Sequence, residues 1–195
     1  RELVTNREKR EIMAFRVGLV GTGGIARAHG NAAKQVNDAV LQSICDVSEE
    51  AVNRYGDEFE VENRYTDLDQ MLQSEDLDLA VICTWGAYHE QVGVQLASSG
   101  RVKAILCEKP FTSTGAEAKR MVAAAKDNDV LLAEAFKFRH HPMHLKAHEL
   151  IDSGAIGEVM NIRSTFCTGG SGGGPEKRQP ESNWRFNKAQ GGGSI

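Results

Sequence analysis

The sequence is poor in the features that would place it in a membrane, on a nucleic acid or around a structural metal. Its apolar runs, such as Leu79 to Cys83 and Ala104 to Cys107, are five and four residues long, far short of the ~20 needed to cross a bilayer. The opening segment, Arg1 to Ile12, is charged almost throughout and lacks the apolar stretch of a secretory signal; cytoplasmic residence is the expectation. Basic residues are outnumbered, 23 Lys and Arg against 27 Asp and Glu, for a net charge of -4. A phosphate-binding face usually shows as a basic surplus, so nucleic acid is not an expected partner. Cysteine is scarce as well. Cys45, Cys83, Cys107 and Cys167 stand too far apart for a metal knuckle, and three of them end apolar runs where a small buried residue suits a sheet. They read as structural thiols.

What is present describes a folded globular protein. Apolar residues make up 41% and charged residues 26% of the chain, a balance that suggests neither disorder nor a fibre. A length of 195 residues exceeds one ordinary domain and falls short of two. Met13 directly precedes the first apolar run and reads as the natural start, with residues 1–12 upstream of it. Ile195 follows three glycines, where a domain has no reason to finish. The expected organisation is a complete nucleotide-binding domain over residues 13–138 and the beginning of a C-terminal substrate and oligomerisation domain over residues 139–195.

Apolar runs alternate with amphipathic segments through the first of these. Phe15 to Val20 is β-rich and runs into Gly21-Thr22-Gly23-Gly24-Ile25-Ala26, after which apolar residues recur at helical spacing through Val36. Val40 to Cys45 gives a second strand, and Ser48 caps a helix whose first turn carries Glu49 and Glu50. Thr66 or Asp67 opens a short helix through Leu72. Leu79 to Cys83 is a buried strand followed by a helix running to Gly100, a C-terminal cap. Val102 to Cys107 and Val130 to Ala133 are further strands, separated by a helix that Thr114-Gly115-Ala116-Glu117 opens as a capping box. Alternation at these lengths gives an α/β fold, a doubly wound parallel sheet of Rossmann type covered on both faces. Beyond Pro142, which suits a first helical turn, a helix reaches Gly154; Glu158 to Phe166 then alternates like a strand of a second, antiparallel sheet. Thr168 to Pro180 reads as a glycine-rich loop.

The glycine turn carries the first chemistry. Gly21 permits the tight turn, Gly23 and Gly24 let backbone approach a pyrophosphate, and the helix opening at Ile25 presents free N–H groups to it. Asp46 closes the second strand twenty-three positions beyond Gly23, where an acidic residue accepts hydrogen bonds from an adenosine ribose. A 2'-phosphate there would meet a like charge at roughly 4 Å. NAD is therefore expected over NADP. Glu108-Lys109-Pro110 follows the Val102 to Cys107 strand, at the carboxyl edge where open α/β sheets bind ligands.

This succession resembles the glucose-fructose oxidoreductase and myo-inositol dehydrogenase (Gfo/Idh/MocA) family: Gly-x-Gly-Gly-Ile-Ala, strand-end Asp46, Thr84 with His89 five residues on, then Cys107-Glu108-Lys109-Pro110. Glu134-Ala135-Phe136, Arg139, His141-Pro142, Ile151 to Gly154, Ile156 to Val159, Asn183-Trp184-Arg185 and Gly191 to Gly193 look like its later landmarks. Their wording is most similar to the dihydrodiol and xylose dehydrogenase-like branch. Thr84-Trp85-Gly86 replaces the Thr-Pro-Asn of many members, and the segment before Glu108 is slightly longer than usual. The family's Asp and its His or Tyr acid/base would fall just past Ile195.

The resemblance implies that Lys109 lies beside the nicotinamide and the reacting hydroxyl or carbonyl, with Glu108 positioning it. Gly21, Gly23, Gly24, Ile25, Asp46, Thr84, His89, Glu108, Lys109 and Arg139 would then form the cofactor site. Arg139 and His141 pack toward the cofactor or substrate cleft on this view. His144 and His148 share a helical face, but no acidic or cysteine ligand completes a set, and no metal is expected. The implied activity is hydride exchange between NAD(H) and a secondary alcohol or carbonyl of a sugar, polyol or diol, by a protein that pairs with itself at full length. The alternative is a non-catalytic NAD-binding or sensing module of the same fold.

Overall fold

The computed structural model describes residues 14–165 together with Phe186 and Asn187. The chain forms two compact units, one closing at Glu134 and the other opening at Ala135. Expectations placed on Met13, Cys167, the Thr168 to Pro180 loop, Asn183 to Arg185 and Gly191 to Gly193 lie outside the described residues.

The first unit is a six-stranded parallel sheet. Its strands are β1 (Phe15–Val20), β2 (Ala39–Cys45), β3 (Asn63–Tyr65), β4 (Leu79–Ile82), β5 (Ala104–Cys107) and β6 (Leu131–Glu134), and they lie in the order β3-β2-β1-β4-β5-β6. Five helices connect them: α1 (Ala26–Gln35), α2 (Glu49–Phe59), α3 (Leu68–Ser74), α4 (His89–Ser98) and α5 (Gly115–Asp127). The order reverses at β1, between β2 and β4. That reversal opens a crevice at the carboxyl ends of the central strands, the place where such sheets take ligands.

Period-two alternation along the strands feeds two cores. Val17, Leu19, Ile44, Val81 and Cys83 meet Ala26, Val52, Tyr55 and Phe59 of α1 and α2 on one face. Val20, Cys45, Ala80, Ile82, Ile105 and Cys107 meet Met71, Leu72, Leu96, Ala97, Met121 and Ala125 of α3, α4 and α5 on the other. Successive side chains point to opposite faces, so a strand buried on both sides must be apolar throughout. The α1–α2 contact is tight because Gly30 leaves room: a Cβ there would sit 2.6 Å from the Phe59 ring. Tyr55 fills the gap, donating its hydroxyl to the Ala26 carbonyl at 2.7 Å and stacking on Phe59 with centroids 4.4 Å apart.

The helix boundaries follow local chemistry. Ser48 caps α2 by accepting from the Ala51 amide, and Asp67 rather than Thr66 caps α3 by accepting from Gln70. Thr114 and Glu117 exchange hydrogen bonds as a capping box. Gly100 carries a φ of +69° just past α4, a left-handed conformation that costs glycine little. The sequence did not announce β3. Its residues, Asn-Arg-Tyr, form a polar edge strand whose only signal is pairing with Ser43 to Cys45.

In the second unit a 3-10 turn (Lys137–His140) precedes α6 (Pro142–Asp152). Pro142 occupies the first turn, where its missing N–H costs nothing. The strand expected over Glu158 to Phe166 runs into residues outside the described ones. Residues 158–165 form no strand, because none of the described residues pairs with them and a strand exists only against a partner.

Candidate functional site

Three turns leave the carboxyl edge of neighbouring strands and meet there. Gly21 follows β1 with a φ of +94°, and a Cβ at this position would lie 2.7 Å from the Cys83 carbonyl carbon and 2.8 Å from the Thr84 nitrogen. Only glycine allows the turn after β1 to rest directly on the backbone after β4. Its amide donates to the Cys45 carbonyl at 2.7 Å, which ties it to β2 as well. Gly23 and Gly24 face open space: a Cβ at either position would have no neighbour within 4 Å. The fold itself does not require them to be glycine. A ligand pressed against this backbone would. Helix α1 starts here, and its N-cap, Ile25, offers no side-chain oxygen to the first-turn amides.

Asp46 does more than wait for a ribose. Its Oδ2 accepts from the Thr22 amide at 2.7 Å and the Thr22 hydroxyl at 3.0 Å, while Oδ1 accepts from the Ser48 amide at 3.0 Å. The carboxylate thereby fastens the glycine turn to the end of β2. An ionised carboxylate has about four acceptor sites, so further hydrogen bonds remain open to it.

Thr84 leaves β4 with its Oγ1 buried and unpartnered. Buried hydroxyls are nearly always satisfied; among the described residues the Ser43 hydroxyl on β2 is the other buried one without a hydrogen bond. His89 is 1% exposed. Its Nδ1 lies 2.8 Å from the Pro110 carbonyl and its Nε2 lies 3.0 Å from the Thr84 carbonyl. The ring thus joins the turn after β4 to the turn after β5, and a neutral imidazole donates to only one of these carbonyls at a time. Trp85 and Tyr88, half exposed, flank the buried Gly86 in this loop.

Glu108 is buried, although it opens an exposed-looking tripeptide in sequence. Its Oε1 lies 2.9 Å from His29 Nε2 on α1, and its Oε2 accepts from the Lys109 amide at 3.2 Å. The Cys83 thiol is pushed up by its burial first and then by the nearby Glu108 carboxylate, and the Cys107 thiol is pushed up to about 12 by burial, then Glu134 and Glu108. Both cysteines stay protonated beside the site. Lys109 is exposed at the edge, joined to Pro110 by a cis peptide bond. Glu134, at the end of β6, accepts from the Phe111 amide at 3.1 Å and holds the far side of the same loop.

The first unit therefore brings together Gly21, Gly23, Gly24, Ile25, Asp46, Thr84, His89, Glu108 and Lys109. Arg139 belongs to the second unit, exposed on its 3-10 turn. His141 caps α6 there, its Nδ1 accepting from the Met143 amide at 3.2 Å. His148 pairs with Asp152 at 2.8 Å, and His144 packs its ring against Phe138. Among the described residues no group of three or more His, Cys, Asp or Glu side chains converges as metal ligands. Sequence reasoning missed two residues, Thr22 and His29. Thr22 lies between two glycines of the turn, and no local pattern signals its partner, Asp46. His29 sits inside an amphipathic helix, and its partner is 79 positions away, a distance no local pattern spans.

The chain as a whole matches known proteins. The profile of the Gfo/Idh/MocA oxidoreductase family with an NAD-binding Rossmann fold matches residues 15–136, and that of the Gfo/Idh/MocA C-terminal domain matches residues 144–195. A levoglucosan dehydrogenase of Pseudarthrobacter phenanthrenivorans is 30% identical over 185 residues, 89% of this chain and 45% of the relative. A D-apiose dehydrogenase of Paraburkholderia graminis is 34% identical over 155 residues, 80% of this chain and 41% of the relative. Among solved structures, levoglucosan dehydrogenase in complex with NADH superimposes with a TM-score of 0.79 at 28% identity, covering 91% of this chain and 48% of the other. The chain spans less than half the length of these relatives. It belongs to the Gfo/Idh/MocA oxidoreductase family.

Proposed function

We propose that the first unit binds NAD(H) across its glycine turn, and that the whole protein exchanges hydride between that cofactor and a secondary alcohol or carbonyl of a sugar, polyol or diol. The observation that carries this is the juxtaposition at one sheet edge of an open glycine turn, an uncapped helix start, a buried unpartnered Thr84 hydroxyl and Lys109. The residues present fit a dinucleotide. Gly23, Gly24 and the first turn of α1 would receive the pyrophosphate, Asp46 the adenosine ribose, and Thr84 the nicotinamide half.

Bound nicotinamide supplies the carbon that takes or gives the hydride. The protein's share is placement and charge. Lys109, held by the Glu108 and Pro110 backbone, would put its ammonium against the reacting oxygen, stabilising alkoxide as it develops and, in the direction of carbonyl reduction, giving it a proton. NAD is preferred over NADP on this reading because the Asp46 carboxylate stands where a 2'-phosphate would lie. Dehydrogenases of levoglucosan and D-apiose among its relatives support the sugar and polyol class. The described residues include no helix long and apolar enough to cross a membrane; we read the whole protein as a cytoplasmic homo-oligomer that acts on a small molecule.

Calorimetric titration of the chain with NAD and NADP tests the first half. NADH absorbance, followed over a panel of sugars, polyols and diols with the whole protein, tests the second. Binding without turnover across the panel would favour a sensing module, and absence of binding would end the proposal.

A further inference from the structure

Glu108 poses a local problem that α1 solves. A buried carboxylate must be supplied with donors, or its desolvation is uncompensated. One donor is the Lys109 amide, at 3.2 Å from Oε2; the other oxygen, Oε1, lies 2.9 Å from Nε2 of His29. His29 stands four residues after Ile25, one turn and about 6 Å along the axis from the start of the helix. That same start is where the pyrophosphate is proposed to bind. The pair therefore joins the two ends of the proposed cofactor site through one hydrogen bond between residues 79 positions apart.

We propose that His29 is a positioning residue, which holds the Glu108 carboxylate and thereby fixes the Lys109–Pro110 turn at a set distance from the start of α1. The proposal rests on the cofactor assignment above. Its physical content is preorganisation: with the pair intact, a dinucleotide meets both walls already spaced for it, and without it the turn must be ordered on binding. His89 secures the same turn from the other side through the Pro110 carbonyl, at 2.8 Å. His29 is the tie that reaches the phosphate helix.

The experiment uses the 195-residue chain with NADH as the probe, calorimetry for affinity, and circular dichroism with thermal melting for folding. His29→Ala should weaken NADH binding about tenfold while remaining folded. His29→Gln, which keeps an N–H donor at similar reach, should recover affinity to within about threefold of the parent. Glu108→Met, which removes the acceptor at similar volume, should lose affinity to at least that degree, and adding His29→Ala to it should cost little more, because the interaction is already gone. A role in helix packing alone predicts the contrary: no rescue by glutamine, and losses that multiply. Either of those results overturns the proposal, as does undiminished affinity in a folded His29→Ala chain. Should the alanine variant fail to fold, His29→Leu, which removes the donor at similar reach, takes its place in the same comparison with His29→Gln and Glu108→Met. Absence of NADH binding by the parent chain would instead refute the cofactor assignment, and this proposal with it.

Discussion

The Asp46 carboxylate holds Thr22 twice, accepting its amide at 2.7 Å and its hydroxyl at 3.0 Å. The residue expected to choose between NAD and NADP is thus also a strut of the glycine turn. Charge and scaffold are the same atom, and the two roles separate experimentally.

Asp46→Ser should do two things at once. Removing the negative charge relieves repulsion of a 2'-phosphate, which improves NADP relative to NAD. Removing the acceptor frees Thr22 and loosens the turn, and hydrogen bonds to a charged group contribute about 1.5–3 kcal/mol. NAD affinity should therefore fall about tenfold while NADP affinity changes less. Calorimetry on both nucleotides reads this. A gain in NADP with NAD unchanged would show that the strut has no bearing on binding.

The glycines of the turn should divide by role. Gly21→Ala forces a side chain into φ +94° with its Cβ 2.7 Å from the Cys83 backbone, and should destabilise the fold by about 1–3 kcal/mol. A Cβ at position 23 meets nothing within 4 Å, so Gly23→Val should melt close to the parent, yet lose NAD binding. A Gly23→Val chain that binds with full affinity would remove the glycine turn from the proposed site.

Acid should unfold the first unit partly through Asp78. Burial acts to raise its carboxyl, but hydrogen bonds from Lys103 and from the Arg16 backbone and guanidinium outweigh it and bring the group from 3.8 to about 2. Its folded-state affinity for a proton is lowered, so the stabilisation is complete above about pH 4 and is lost as the pH falls toward 2. Lys103 is 74% exposed, and solvent screening holds the contribution to about 1 kcal/mol. Melting profiles of the parent and Asp78→Asn should converge between pH 4 and pH 2. Parallel profiles across that window would mean that Asp78 is not a source of the acid sensitivity.

Lys109 should be separable from cofactor affinity. It acts, on the proposed function, on charge that appears only in the transition state. In the whole protein Lys109→Met should lower kcat by about 10² to 10⁴-fold and leave the NADH dissociation constant within about threefold. Matching losses in affinity and in kcat would assign the lysine to cofactor binding alone.

Much of this was legible along the chain because local forces wrote it there. Strands buried on both faces must be continuously apolar, caps must be short oxygen-bearing residues, and Gly21 must be glycine to reach its φ. The glycine turn and Asp46 were read from their places after the first and second strands; Glu108-Lys109-Pro110 was placed at a strand end by the sequence, and its role came from the family resemblance alone. Where local signal was thin the sequence was silent: Asn63 to Tyr65 pairs as a polar edge strand, and Glu158 to Thr165 alternates like a strand but has no strand partner among the described residues. Tertiary structure alone decided who answers whom. Asp46 met Thr22 because β1 and β2 are neighbours, and His89 met both the Thr84 and Pro110 carbonyls because the turns after β4 and β5 are neighbours. Glu108 found His29 because the folded chain brings the residue after β5 within reach of α1, and a buried carboxylate takes the donor that folding brings within 2.9 Å, however far away it is in sequence.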